Sequence, residues 1–445
     1  MTNENKGEAK GLADQPQDIK GYFTHLVPYG ALFLRWIAMS VAVGIPCGLL
    51  GTAFHIGVEH ATVFRQAHHW VIFTLPLAGM LAVAIYRFFR VEGLSTDTVI
   101  DQVRSGEGLS LRLLPAIFLS TILTHLAGGS AGREGAALQM GGTIGVGISR
   151  LLHLDEADAG IVTLTGMAAF FSALFGTPVG AAIFAMAVIN VGMLLHVAYV
   201  PCLTAALTAY AISLRLGVEP TRYAVTVPLA NPGLVLRVAV LAWFCSMVSV
   251  VFCQVLHKSE HLVRRCVPNA WIRAAAGGAV LLALTLIVGT GDYNGAGMDV
   301  IRRAIEQGQA ETFAFALKIV FTVITLSVGF KGGEVVPCFF IGSTFGCVVG
   351  PLLGIPAGFA AALGLISVFC AAVNCPIAST VLAVELFGGE GIVFYAVACG
   401  IAYVLSGYTG LYSSQRILFD KLKPRRIDVN ANAYHQGGYQ RRREG

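Results

Sequence analysis

Long apolar runs recur along the whole chain, and few folds can absorb them. Nine stretches stand out: 33–58, 71–88, 111–127, 161–191, 234–256, 274–289, 313–330, 335–373 and 376–405. A membrane-spanning helix needs about 20 mainly apolar residues. Several of these runs are too long for one crossing and too short for two, and they are interrupted by Gly or Pro. That is the pattern of broken or re-entrant helices lining a polar pathway. With 56% hydrophobic and 12% charged residues, the chain is no ordinary soluble domain. It reads as an all-α polytopic membrane protein.

The ends are different. Residues 1–30 are polar and nearly balanced in charge, without the apolar core of a cleavable signal peptide, and read as a cytoplasmic tail. From Ser413 to Gly445 there are eight Lys/Arg against three acids, starting within a few residues of the last apolar run. The positive-inside rule places this basic tail, 414–445, in the cytoplasm. The Arg441–Arg443 run is then a topology signal, and no nucleic-acid partner is expected. The cysteines, ten in all, form no CxxC or Cys/His cluster and read as small core residues. His55, Glu59, His60, His68 and His69 crowd one span end, but without the HExxH order that would make a metal site specific. No metal or cofactor is predicted.

The chain repeats itself. Gly93 to Gly106 reads GLSTDTVIDQVRSG and Gly295 to Gly308 reads GAGMDVIRRAIEQG, with Asp97 and Asp299 both fifth. Gly132-Arg133-Glu134 with Gly142 and Gly145 is echoed by Gly332-Gly333-Glu334 with Gly342 and Gly346. FSALFGTP, from Phe171 to Pro178, is echoed by FCAAVNCP, from Phe369 to Pro376. These anchors lie 202, 200 and 198 residues apart in the same order, so the transport domain 31–413 divides into two homologous halves, about 31–226 and 227–413.

The stretch from Gly128 to Gly145 carries the chemistry: Arg133 and Glu134 side by side among seven glycines. A carboxylate there is too costly in lipid and must face protein or water. The glycines let backbone approach a ligand, and a helix starting near Glu134 offers free N–H groups to an anion. If the halves face one another, several helix N-termini converge near the midplane, and their natural ligand is a small dehydrated anion. Deprotonated, Glu134 can occupy such a site itself; protonated, it can leave. One group would then couple anion passage to proton movement.

GREGAALQMG resembles the G(K/R)EGP motif that carries the gating glutamate of the CLC chloride channels and proton-coupled antiporters. GLSTDTVID falls where that family has its serine-containing GSGIP turn, GGEVVPCFFIG resembles its GGxFxP turn, and SGYTGLYSS its tyrosine segment. The resemblance spans about 33–417. It implies an inverted repeat, a homodimer with one pore per subunit and a bacterial inner-membrane location; no cytoplasmic CBS domains are expected after Ser413. By position it makes Glu134 the gate, Tyr412 the central tyrosine and Glu334-Val335-Val336 the second anion-binding turn. The implied site is Leu94, Arg133, Gly135, Val335, Val336 and Tyr412, with Glu134 and Glu334 for gating and proton coupling. Leu94 replaces the usual serine, with Ser95 one position late, and Ala136 replaces the motif proline. Ala187 and Val188 fall where chloride/proton exchangers carry an internal glutamate. With Glu334, these departures look most like the bacterial fluoride/proton antiporter branch, although Val336 stands where that branch usually has threonine.

The expected function is proton-coupled fluoride efflux; the alternative is a chloride channel or chloride/proton exchanger. A membrane enzyme using Glu134 as a base lacks a nucleophile or metal partner, and a neutral-solute permease leaves the Gly-rich helix starts unexplained. Among the remaining polar residues, Lys331 is expected either to neutralise Glu334 or to snorkel, and Glu385 to mark a water boundary. Phe339 and Phe340 read as packing.

Overall fold

The same residue types end helices at the same points of each half, and so the halves are built alike. The computed structural model describes residues 19–106 and 109–432. Its first half runs α1 (Ile19–Ala67), α2 (Leu75–Phe88), α3 (Thr96–Ser105), α4 (Leu113–Ala127), α5 (Glu134–Leu151), α6 (Glu156–Phe175), α7 (Pro178–Val188) and α8 (Tyr199–Arg215). The second runs α9 (Pro232–Cys266), α10 (Ala270–Val288), α11 (Met298–Arg302), α12 (Ala314–Val328), α13 (Val335–Val349), α14 (Ala357–Val373), α15 (Pro376–Phe387) and α16 (Ile392–Leu405).

Helix α4 ends on Gly128 (φ 99°) and its counterpart α12 on Gly329 (φ 112°). Both caps need the left-handed conformation that glycine adopts without strain. Helix α6 ends on Gly176 and α14 on Asn374, also left-handed, and the following helices open on Pro178 and Pro376. Proline at a helix start loses no hydrogen bond. These stops divide the over-long apolar runs. The run 161–191 becomes α6 and α7, 335–373 becomes α13 and α14, and 376–405 becomes α15 and α16. Among the described residues six segments are long and apolar enough to cross a membrane: Tyr29–Ala67, His69–Phe88, Glu156–Phe175, His196–Arg215, Pro232–Cys266 and Ala270–Val288. His196–Arg215 was absent from the runs read in the sequence. Its Thr204, Thr208 and Ser213 dilute the apolar signal, but Thr208 and Ser213 satisfy their hydroxyls on the carbonyls of Thr204 (2.8 Å) and Ala173 (2.7 Å).

The core of each half is a pair of antiparallel neighbours packed backbone to backbone: α5 against α6, and α13 against α14. Gly141 meets Gly166 so closely that a Cβ on either would strike the other's carbonyl, and Gly342 meets Gly364 in the same way. Gly145 likewise lies on the Val162 carbonyl and Gly346 on that of Ala360. The matching glycines are therefore Gly141/Gly145 and Gly342/Gly346, both four apart, rather than the Gly142/Gly145 pair taken from the sequence. Four is the spacing that keeps two residues on one helix face.

The halves meet at their glycine turns. Gly132 and Gly333 form an antiparallel bridge, each donating its N–H to the other's carbonyl at 2.7 Å. Equivalent segments that pair antiparallel are related by a local two-fold axis, as in an inverted repeat. Thr124 and Thr325 repeat this relation: Thr325 Oγ1 accepts the Ser130 N–H (3.0 Å), and Thr124 Oγ1 accepts the Lys331 N–H (3.3 Å).

Two boundaries differ from the sequence reading. Helix α1 begins at Ile19, so 19–30 continues it rather than belonging to a tail. Past residue 413 the chain forms β2 (Arg416–Phe419) and β3 (Arg426–Asn430), which pair antiparallel, and β2 runs parallel to β1 (Asn190–Val191). Lys421 Nζ pins this hairpin, donating to the Tyr403 carbonyl (2.8 Å), Ser406 Oγ (2.9 Å) and Asn374 Oδ1. Residues 1–18 and the Arg441–Arg443 run lie outside the described residues.

Candidate anion and proton site

Helix α5 starts two residues after the bridge, which brings Glu134 back over its own turn. Its carboxylate is fully buried. Oε2 accepts the N–H of Arg133 (2.9 Å) and, across the two-fold, the N–H of Val336 (3.3 Å). Arg133 Nε lies 3.8 Å from Oε1, which is buried and has no hydrogen-bond partner among the described residues. The carboxylate thus sits where backbone amides of both halves converge, at the start of α5 and of α13. Gly132 permits this, because a Cβ there would collide with Oε2. Gly135 plays the same part on the other face: a Cβ would lie 2.9 Å from Gly333 Cα and 3.1 Å from Glu334 Oε2.

Two cavities approach this point. The tail-side cavity, about 320 Å³, is lined by Leu94, Thr96, Gln139, Lys331, Glu334 and Tyr412 among others. It lies beside the C-terminal hairpin, where Ser414 donates to Asp97 (2.8 Å) and Asp101 (2.6 Å). The far-side cavity, about 360 Å³, is lined by His55, Glu59, Arg133, Ala296, Gly297 and Asp299 among others. Each cavity combines the α3-type helix start of one half with the glycine turn of the other, as the two-fold requires. Glu134 lines neither and lies between them.

The residues predicted for the site that line these cavities divide between the two sides of Glu134. Leu94, Glu334 and Tyr412 face the tail side, and Arg133 faces the far side. Val335 is buried, and Val336 contributes its backbone amide rather than its side chain. Glu334 Oε2 and the Tyr412 hydroxyl are buried without hydrogen-bond partners among the described residues. Ser95 is exposed at the start of α3, where its N–H binds Thr98 Oγ1 (3.2 Å).

Sequence reasoning missed Gln139 and its partner Thr96. Gln139 donates to Thr96 Oγ1 (3.0 Å), while its own Oε1 is buried without a partner. A lone glutamine among the glycines and alanines after Glu134 was the available signal. Lys331 neither pairs with Glu334 nor snorkels to an interface: its Nζ lies 4.1 Å from the centre of the Tyr86 ring. Lys318 is wholly buried and donates to the carbonyls of Tyr293 (3.2 Å) and Gly295 (2.7 Å), fixing the α11 turn. Glu385 is not a free boundary group. From α15 it accepts the Val179 (3.0 Å) and Gly180 (2.7 Å) N–H groups at the start of α7. Phe339 and Phe340 pack as expected, Phe339 on Phe175 and Phe369 and Phe340 on Tyr293.

Residues 78–407 match the family described as voltage gated chloride channel. The chain is 33% identical over 402 residues to a chloride/fluoride channel protein of Pseudomonas syringae pv. tomato, covering 88% of each. A crystal structure of a CLC-type fluoride/proton antiporter superposes with a TM-score of 0.82 at 32% identity, over 86% of this chain and 98% of that one. A slow cyanobacterial Cl⁻/H⁺ antiporter shares the fold, with a TM-score of 0.72 at 18% identity over 84% of this chain and 94% of that one. With its paired glycine turns, inverted halves and matched length, this chain is a multi-pass membrane protein belonging to the CLC family.

Proposed function

We propose that this protein exchanges fluoride for protons across a bacterial inner membrane, with Glu134 as the gate. The observation that carries the reading is a buried carboxylate held by backbone amides of both halves, between two cavities. A carboxylate oxygen and a small hard anion want the same N–H donors, so the two compete for one place. Protonation removes the charge that holds Glu134 there, the side chain yields to the anion, and proton and anion movements become linked. The tail-side cavity then opens to the cytoplasm, following the basic C-terminal segment.

Fluoride is favoured by the relatives named for it and by the site itself. Leu94 supplies no hydroxyl, so backbone N–H groups and Tyr412 carry more of the coordination. Val336 offers its amide whatever its side chain. Glu334 supplies a second acid on the tail side, where Ala187 and Val188 supply none. The working unit is a homodimer with one pathway in each subunit. Ion efflux from liposomes containing the purified protein tests the reading, comparing fluoride, chloride and nitrate while a trapped dye follows pH. Fluoride efflux accompanied by proton uptake is expected. Chloride efflux at an equal or greater rate, or fluoride efflux without proton movement, would overturn it.

A further inference from the structure

Both halves carry the same pair of side chains on their first long helix. On α1 the chain reads Phe54-His55-Ile56-Gly57-Val58-Glu59-His60, and on α9 it reads Leu256-His257-Lys258-Ser259-Glu260-His261. His55 and His257 are 202 positions apart, as are Asp97 and Asp299, and Glu59 and Glu260 are 201 apart, as are Thr124 and Thr325; the glutamate lies four residues after the histidine on α1 and three after it on α9, within one helical turn in both. The fold sends the two copies to opposite cavities. His55 and Glu59 line the far-side cavity with Arg133, and His257 and Glu260 line the tail-side cavity with Glu334. Packing would not require a histidine–glutamate pair at both places.

The local geometry suits proton exchange. His257 Nδ1 lies 2.6 Å from the Cys253 carbonyl oxygen. A carbonyl only accepts, so Nδ1 carries a proton and Nε2 is the nitrogen that takes one up and releases it. Histidine is the side-chain type that does this near neutral pH. On the far side His55 Nε2 lies 3.5 Å from Glu59 Oε2; the His55 side chain is 15% exposed and that of Glu59 62%, a half-buried base reached through an exposed acid. The charged groups sharing the tail-side cavity with His257 are Asp97, Glu260, Arg264, Lys331 and Glu334. Those sharing the far-side cavity with His55 include Glu59, Arg133, Glu219, Asp292, Asp299 and Arg302.

We propose that His257 with Glu260, and His55 with Glu59, load and unload protons for the buried glutamates at the two ends of the pathway. This rests on the proton-coupled reading above. On the far side a solvent proton passes by way of Glu59 to neutral His55, whose imidazolium N–H bond then breaks as the proton moves through cavity water to a Glu134 carboxylate oxygen, forming an O–H bond. On the tail side protonated Glu334 gives its proton through cavity water to neutral His257, which releases it past Glu260, so protons enter as fluoride leaves. No electrons change hands. A cavity of about 320 Å³ holds the required water chain, since each liquid water fills about 30 Å³.

The test uses the full chain in liposomes, driven by a fluoride gradient, with a fluoride electrode and a trapped pH dye. Absence of fluoride-driven proton movement in the unmutated protein would remove the proton-coupled reading itself. If coupling is present, His257→Asn is decisive, because the asparagine amide keeps a donor for the Cys253 carbonyl but has no Nε2. Coupled proton flux should fall by about a hundredfold, the lower end of what losing a positioned acid–base group costs. Fluoride affinity by calorimetry should be unchanged, and imidazole in the buffer should restore the flux. His55→Asn should behave alike, and His257→Gln provides a second substitution judged by the same readouts. Undiminished proton flux in the His55/His257 double variant overturns the inference. So does loss of fluoride binding in both His257 variants, or a loss of flux that imidazole does not rescue, since either marks the histidines as structural.

Discussion

The turns Gly128–Glu134 and Gly329–Val335 follow one path, with Arg133 and Glu334 at the same helix-cap position, yet the carboxylates of Glu134 and Glu334 face different surroundings. Glu134 is folded back onto amides, one of its own turn and one of the opposite half. Glu334 instead lines the tail-side cavity, with Oε2 buried and unpartnered. The difference teaches where symmetry stops. The repeat sets the backbone: the left-handed glycine caps, the Gly132–Gly333 bridge and the threonine contacts come in pairs. Side chains then break it, Arg133 standing where the other half has Glu334, Glu134 where it has Val335 and Gln139 where it has Phe340. A single amide-lined centre results, with one carboxylate inside and another at its tail-side entrance.

If that division is right, the two glutamates fail differently. Glu134→Gln should remove proton coupling, cutting fluoride-driven proton flux by more than about a hundredfold, while fluoride still leaks down its gradient. A variant that pumps protons at the wild-type rate would make the two carboxylates equivalent. Glu334→Gln should slow proton flux by about tenfold, less than the loss of the gate itself. Its fluoride binding and detergent stability should hold, because Lys331 rests on Tyr86 rather than on Glu334. A misfolded variant would turn Glu334 into a structural residue.

Smaller effects sharpen the contrast between amide and side-chain coordination. Leu94→Ser adds a hydroxyl at the tail-side cavity, and relative permeation should move toward chloride by about fivefold, one hydrogen bond's net worth of about 1 kcal/mol. Unchanged ratios in efflux assays would mean that this turn does not read the ion. Val336→Thr should alter transport least, since the amide is what binds. It should cost about 1 kcal/mol of stability for burying a hydroxyl, seen as a lower melting temperature with fluoride affinity intact.

Much of this was legible beforehand because glycine, proline and charge are scarce and positional in an apolar chain. The Gly-rich turns, the acid in each and the repeat offset all lead to the bridge at Gly132 and Gly333. What escaped notice was hidden by chemistry that hydropathy does not register. Helix α8 carries Thr208 and Ser213, whose hydroxyls bond to backbone carbonyls, so its apolar signal looks weaker than its burial. The C-terminal hairpin reads as a basic tail because its lysine and arginines dominate the composition. Lys421 nonetheless has three oxygen partners and is drawn inside. The repeat register slipped by one at Gly142 because adjacent glycines look alike until a partner helix selects one face.

The central claim is that anion and carboxylate compete for one amide site. Fluoride binding, measured by calorimetry across pH in the unmutated protein and in Glu134→Gln, tests it directly. The account predicts that fluoride binds the unmutated protein more tightly as pH falls and Glu134 is neutralised. In the variant, which has no charge to displace, binding should be tight at every pH. Equal affinities with the same pH dependence in both proteins would contradict it, and would mean that Glu134 and the anion never share a place.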